Sequence, residues 1–241
     1  MQVIPVKIEK EIQLDDDLVK LISNSIEILE GDILIVAQKI ISKQEGRIAD
    51  LSTIEPSLLA QGISSQYQKD PRIVELILSE SKKIIRMENG VIIVENKNGF
   101  ICANAGIDES NVKDGFATLL PKDSDISAQK LQHQIKQILG KNVAIIISDT
   151  FGRPFRMGQT NCAIGISGMN PILDYQGTTD VFGNILRVTA IAIADELCSA
   201  AELVMEKTKK CPVAIIRDYQ HENGNKTIQE LIRSEQEDLF R

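Results

Sequence analysis

Three runs of uninterrupted apolar residues constrain this fold more than any other feature of the chain. They are Ile33-Leu34-Ile35-Val36-Ala37, Val143-Ala144-Ile145-Ile146-Ile147 and Val213 to Ile216. A strand with one wet face alternates apolar and polar residues. A run without alternation belongs to a strand covered on both faces, as in the central sheet of an α/β protein. Aromatic residues are 4% of the chain and Trp is absent, so Ile, Leu, Val and Ala must build the core.

Amphipathic stretches supply the cover. Asp15 to Asp17 offer N-caps to a helix whose apolar face is Leu18, Leu21, Ile22, Ile26 and Leu29. Pro56 and Pro71 each stand at the start of a helical pattern. Asp123 to Leu139 reads as a helix closed by Gly140, and Ala190 to Lys207 as a second long one. Thr227 with Glu230 three residues later reads as a capping box for a C-terminal helix. Between Lys83 and Ala103 the pattern turns to β. Asn89-Gly90 and Asn98-Gly99 separate apolar strands there, the signal of a small antiparallel meander. The class is therefore α/β (α+β) with mixed sheets. One domain over 1–241, or two interwoven subdomains without a legible boundary, would accommodate it.

Composition narrows the function. Hydrophobic residues at 43% and charged residues at 25% exclude wholesale disorder. A net charge of −7 argues against a general nucleic-acid binder, which needs Lys and Arg to displace counterions from phosphates. An acidic chain can still bind a phosphorylated small molecule if divalent cations intervene. The four cysteines form no CxxC pair and read as reduced thiols. No N-terminal signal pattern and no membrane-length apolar run stand out, so a cytoplasmic, membrane-free location is expected.

Chemistry-bearing residues follow the predicted strands. Ser148-Asp149-Thr150-Phe151-Gly152-Arg153 leaves the Val143–Ile147 run, where α/β sheets place ligands. Asp149 and Thr150 are hard-oxygen ligands for Mg²⁺ or Mn²⁺, and Arg153 and Arg156 add positive charge for phosphate or carboxylate. An Asx turn in a surface loop explains the same residue types equally well. Asn104-Ala105-Gly106-Ile107-Asp108, with Ser110 and Asn111, is a second acidic segment, and a cation between Asp108 and Asp149 would offset their repulsion. Gln38, Lys39 and Lys43 follow the first apolar run and suit a nucleotide phosphate. Solvated surface lysines are the plainer account. There is no P-loop, no dinucleotide fingerprint and no GxSxG or HExxH. Two histidines leave little for Ser-His or Cys-His catalysis, whereas phosphoryl transfer can run on positioning and electrostatics.

In collinear order over most of the chain, these segments resemble the coenzyme F420 gamma-glutamyl ligase family. The likeness runs through Gly31–Lys39, Ile41–Arg47, Asn104–Asp108, Ser110–Val112, Ser148–Arg153, Asn161–Gly168 and Ala194–Leu197. The resemblance implies a GTP-dependent ligase, acting through an acyl phosphate, that adds L-glutamate to the deazaflavin coenzyme F420 precursor and extends it by gamma-linked glutamate. It also implies a family-specific fold in an intertwined homodimer, divalent metal and K⁺. By position it makes Asp108, Asp149 and Thr150 metal ligands, and Gln38, Lys39, Lys43 and Asn111 GTP contacts. Lys43 and Asp149 become the catalytic pair, while Arg153 and Arg156 are candidates for the substrate.

Two departures stand out. Glu9-Lys10-Glu11-Ile12 replaces a nucleotide-touching segment usually written Gly-Leu-Pro-x-Ile. Near Met205, Lys207 occupies the position of a metal-binding Glu or Gln, and the neighbouring Glu206 is the expected ligand. The departures leave two alternatives, an amino-acid ligase for a different phosphorylated acid and a non-catalytic deazaflavin-binding protein.

Overall fold

The computed structural model describes residues 1–110 and 112–239. The three apolar runs become neighbours in one sheet. Its strands are β1 (Gln2–Val6), β2 (Ile33–Ala37), β8 (Ala144–Arg153), β9 (Arg156–Ser167) and β12 (Val213–Arg217), in the order β1-β12-β2-β8-β9. In this sheet β2 and β8 run parallel, with Ala37 level with Ser148, and the other described pairs are antiparallel. Ile33, Leu34, Ile35, Ile145, Ile146, Ile147, Ile215 and Ile216 are fully buried, as strands covered on both faces require.

Among the described residues, six α-helices accompany the strands: α1 (Leu18–Ser23), α2 (Gln38–Gln44), α3 (Leu58–Tyr67), α4 (Pro71–Ser79), α5 (Ser124–Leu139) and α6 (Ile193–Met205). Helix α5 covers one face of the sheet and α6 the other. The caps are those that the residue types suggest. Asp17 accepts from the Lys20 amide, and Asp123 from the Ile126 amide at 3.0 Å. Gly140 closes α5 with φ +69°. At β9 the close approach of α5 needs a glycine. A Cβ on Gly165 would lie 2.4 Å from the Ser124 carbonyl oxygen. Gly165→Ala should therefore lose at least ~2 kcal/mol of stability in urea unfolding, because backbone rather than a side-chain tip must move.

The segment between β2 and α5 has its own apolar cluster, including Leu51, Ile63, Val74, Ile77, Ile92 and Val94. Here β3 (Ile48–Asp50) pairs with β7 (Phe116–Thr118), and β4 (Ser81–Glu88), β5 (Val91–Asn96) and β6 (Ile101–Ala103) form the expected meander. Asn89 and Gly90 both have positive φ, as a tight hairpin turn requires. Further on, β10 (Leu173–Asp174) pairs with β11 (Ala190–Ile191) at the base of an arm.

Several boundaries differ from expectation. Helix α1 ends at Ser23, so Ile26 and Leu29 lie beyond it; the Ser25 hydroxyl bonds to the Lys7 and Leu21 carbonyls there. Ala190 and Ile191 belong to a strand, and α6 starts at Ile193. The capping box does not form. Thr227 makes no side-chain cap bond, Asp125 takes the Ile228 amide, and a 3₁₀ turn at Ile228–Leu231 replaces the C-terminal helix. Most consequential, β8 does not end at Ser148. It continues to Arg153 and returns as β9, so Asp149 and Thr150 sit on a two-stranded ribbon rather than in a loop. Among the described residues, no helix is long and apolar enough to cross a membrane.

Candidate functional site

Three segments converge where the parallel strands end. Helix α2 begins directly after β2 and carries Lys39 and Lys43 one turn apart. Opposite it, a turn at Asn104–Gly106 delivers Asp108. Asn104, Ala105 and Gly106 all have left-handed φ, at +52°, +55° and +74°. Such a conformation costs a non-glycine residue ~1–2 kcal/mol. The Asp108 backbone is then held to Thr118 through both its amide (3.1 Å) and its carbonyl (2.8 Å). The third segment is the ribbon, where successive side chains point to opposite faces. Phe151 meets Phe100 of the meander edge-on, at 6.1 Å between ring centres, which places Asp149 on that same side. Thr150 points the other way, toward α6.

Asp108 accepts from the Lys39 ammonium at 2.8 Å, and from the Ser110 amide at 2.7 Å and hydroxyl at 3.0 Å. Burial pushes its carboxyl up, but Lys39 and Ser110 outweigh burial and hold it below the usual range. Asp149 behaves oppositely. Burial first, and the nearby Asp108 charge, push its carboxyl up to about 6; the Thr150 amide, Lys207 and Lys39 only partly counter this. Two neighbouring carboxylates, one of them strained toward protonation, suit a cation that neutralises both. Among the described residues no group of three or more His, Cys, Asp or Glu converges. A pair of carboxylates is a donor set that Mg²⁺ or Mn²⁺ could use together with phosphate oxygens.

The Thr150 side is built differently. Thr150 donates to Asn161 Oδ1 at 2.8 Å, and Asn161 Nδ2 donates to Glu202 of α6 at 2.8 Å. Lys207 donates to Thr150 Oγ1 at 2.8 Å and pairs with Glu202 at 3.0 Å. Glu206 turns away and pairs with Lys209 at 2.5 Å. Of the adjacent residues 206 and 207, it is thus the lysine that reaches the ribbon.

The remaining expected residues fall as follows. Lys43 is almost buried and pairs with Glu11 at 3.1 Å. Buried Gln38 donates to Ser42 at 2.6 Å and to the Leu119 carbonyl. In the altered N-terminal segment Ile12 joins the core, Lys10 pairs with Asp16, and Glu9 with Lys7 and Lys210. Glu11 of that segment reaches Lys43 of α2. Arg153 closes its own hairpin by donating to the Met157 carbonyl at 2.7 Å, and Arg156 is exposed beside it. Asn111 lies outside the described residues. Asn161, Glu202 and Lys207 were not foreseen as a cluster. Asp195, Ser199 and Glu202, spaced along one helix face, carried a signal, since all three bond to β9.

A separate polar cleft of about 760 Å³ opens at the opposite end of the sheet, lined by Asp32, Arg217, Tyr219 and His221 among others. Its most buried charge, Asp32, is matched by Arg217. It therefore lacks the two neighbouring carboxylates found at Asp108 and Asp149.

Comparison with known proteins gives the family. A family model described as F420-0:Gamma-glutamyl ligase matches residues 7–218. A coenzyme F420:L-glutamate ligase of Methanothermobacter thermautotrophicus is 44% identical over 234 residues, covering 94% of this chain and 93% of its own. The protein of that name from Methanopyrus kandleri is 41% identical, with 100% of this chain and 98% of its own covered. That of Methanocaldococcus jannaschii is 45% identical, with 88% and 85% covered.

Proposed function

Because this chain belongs to the F420-0:gamma-glutamyl ligase family, we propose that it joins L-glutamate to the deazaflavin coenzyme F420 precursor with GTP as the energy source, and extends the product by gamma-linked glutamate. The observation that carries the reading is the convergence of Asp108 and Asp149 with Lys39 at the end of β2 and β8.

A carboxylate is a poor electrophile, so the acceptor needs activation. Its carboxylate oxygen attacks the γ-phosphorus of GTP, the bond to the β-phosphate breaks, and GDP leaves with an acyl phosphate formed. The glutamate amine then attacks the acyl carbon, inorganic phosphate departs with the C–O bond pair, and the amine gives up a proton as the amide forms. Bound Mg²⁺ or Mn²⁺ supplies charge neutralisation at the phosphates. Asp108 and Asp149 would hold that ion, while the Thr150 hydroxyl, expected as a third ligand, faces the other side of the ribbon and lies 2.8 Å from Lys207. Lys39 and Lys43 bind the phosphate oxygens, and Lys43 stabilises the charge that develops on the transferred phosphoryl group. Phosphate displaces Glu11 from Lys43 and Asp108 from Lys39. Gln38 supports the lysine helix from within through Ser42. Arg153 and Arg156 lie further along the ribbon, within its reach for the acceptor's anionic tail. A K⁺ requirement belongs to the same reading.

Self-association is part of it. Val181, Phe182, Ile185 and Val188 on the arm, and Met157 at the ribbon tip, are each at least 64% exposed. Such a set suits burial against a second copy. Light scattering should give twice the chain mass.

Mass spectrometry tests the activity directly. The deazaflavin acceptor incubated with glutamate, GTP and Mn²⁺ should gain whole glutamyl residues, with GDP released in equal number. Turnover only with a non-deazaflavin acid, or no GDP release with any acceptor, would overturn the assignment.

A further inference from the structure

The Thr150 face of the ribbon holds a positive charge that the ligase scheme above leaves unassigned. Lys207 Nζ lies 2.8 Å from Thr150 Oγ1, 3.0 Å from a Glu202 carboxylate oxygen and 3.4 Å from Asn161 Oδ1. A hydroxyl, a carboxylate and a carboxamide oxygen converging on one point form the donor set that a hard cation takes. Here an ammonium fills it. The backbone is shaped to put it there. Glu206 leaves α6 at φ +48°, ψ 166°, a region that is essentially glycine's own. That residue ends the helix and turns the chain so that Lys207, and not Glu206, faces the ribbon.

The ammonium is not sealed in. The Lys207 side chain is 60% exposed, so the charge sits at the rim where phosphate oxygens can meet it. Its longest contact is the replaceable one, because Asn161 Oδ1 already accepts the Thr150 hydroxyl at 2.8 Å. A lysine has three donors and no acceptor, and brings one fixed positive charge on a flexible stem.

We propose that Lys207 is a tethered cation: its ammonium takes the place of a second metal ion at the nucleotide phosphates, leaving one exchangeable divalent ion per chain on the Asp108–Asp149 side. The inference rests on the nucleotide-binding reading above. It makes the chain self-sufficient for one of its counter-charges. That charge cannot be chelated away, and the metal titration becomes a single-site one.

Counting bound Mn²⁺ by electron paramagnetic resonance, with a non-hydrolysable GTP analogue at saturation, tests this without requiring turnover. The wild-type chain should bind one Mn²⁺, and Lys207→Arg should also bind one. Lys207→Gln, which removes the charge and adds an oxygen ligand, should bind two. At low Mn²⁺ its affinity for the analogue should fall about 10–100-fold, the loss of one charge-assisted contact, and recover as Mn²⁺ is raised. Unchanged thermal melts establish that the variants are folded. Two Mn²⁺ ions in the wild type, or one in Lys207→Gln with unchanged affinity, would overturn the proposal. Failure of the analogue to bind the wild type at any Mn²⁺ concentration would instead remove the nucleotide reading beneath it.

Discussion

Asp149→Ala should lower GTP-dependent glutamylation by at least about a thousandfold, the several kcal/mol that metal-held charge contributes to phosphoryl transfer. The variant should nevertheless stay folded. Among the described residues Asp149 has no ion-pair partner, and its carboxyl is pushed up to about 6, mainly by burial and also by Asp108. The sign of the pH effect follows from that direction. The folded state binds a proton more tightly than the unfolded chain, so between pH 4 and 6 the wild type holds more protons when folded. Its stability therefore falls as pH rises through that window, and below it the penalty is absent. Asp149→Ala lacks this slope, so metal-free melts should favour the variant most above pH 6. Metal reverses the order, because it needs the ionised carboxylate. Mn²⁺-nucleotide affinity of the wild type should weaken as pH drops below about 6. Near wild-type GDP release from a folded Asp149→Ala enzyme would sink the metal assignment.

Asp32→Ala should be the most costly single change to stability considered, at about 3 kcal/mol, or a fall of about 10 °C in Tm for a chain of this size. Asp32 opens β2 and is 1% exposed. It accepts the Arg217 guanidinium at 2.9 and 2.7 Å and the Leu29 amide at 2.8 Å. Arg217 ends β12, the antiparallel neighbour of β2, and also donates to the Glu27 carbonyl at 2.9 Å. Truncating the acid leaves a mostly buried guanidinium without its counter-charge. Much of the cost is that desolvated charge and not the bond itself. Asp32→Ala combined with Arg217→Met should therefore recover a large part of the loss in urea unfolding. A double variant no better than the single one would show that the pair contributes net stability.

The parts of the fold legible in the sequence were those written as periodicity. Strands β2, β8 and β12 announced themselves as apolar runs, the meander by its Asn-Gly turn, and α5 by Asp123 and Gly140. What escaped was order imposed from a distance. Asp149 to Arg153 contains an Asp and a Gly and reads as a loop, yet pairing with Cys162, Asn161 and Gln159 makes it strand. Thr227 and Glu230 satisfy a local rule, but Thr227 makes no side-chain cap bond, and Asp125, about a hundred residues away in sequence, takes the adjacent Ile228 amide. The site divides in the same way. Asp108, Asp149 and Lys39 each follow a recognisable strand, so their nearness was foreseeable. Which of Glu206 and Lys207 faces Thr150 depends on one backbone rotation, and residue type carries no information about that.

The ribbon gives the site a further property. In a loop, the distance between Asp149 and Thr150 functions could drift with each insertion. On a paired strand they are consecutive odd and even positions, so the two charge environments stand back to back across one backbone, with a spacing set by the pleat. The register shift between Ile147 and Ser148 then acts as a phase marker. It lets the outer ribbon keep its own parity while the inner half obeys the packing of the core. The two environments are therefore inherited together, and the surrounding surface can vary without separating them.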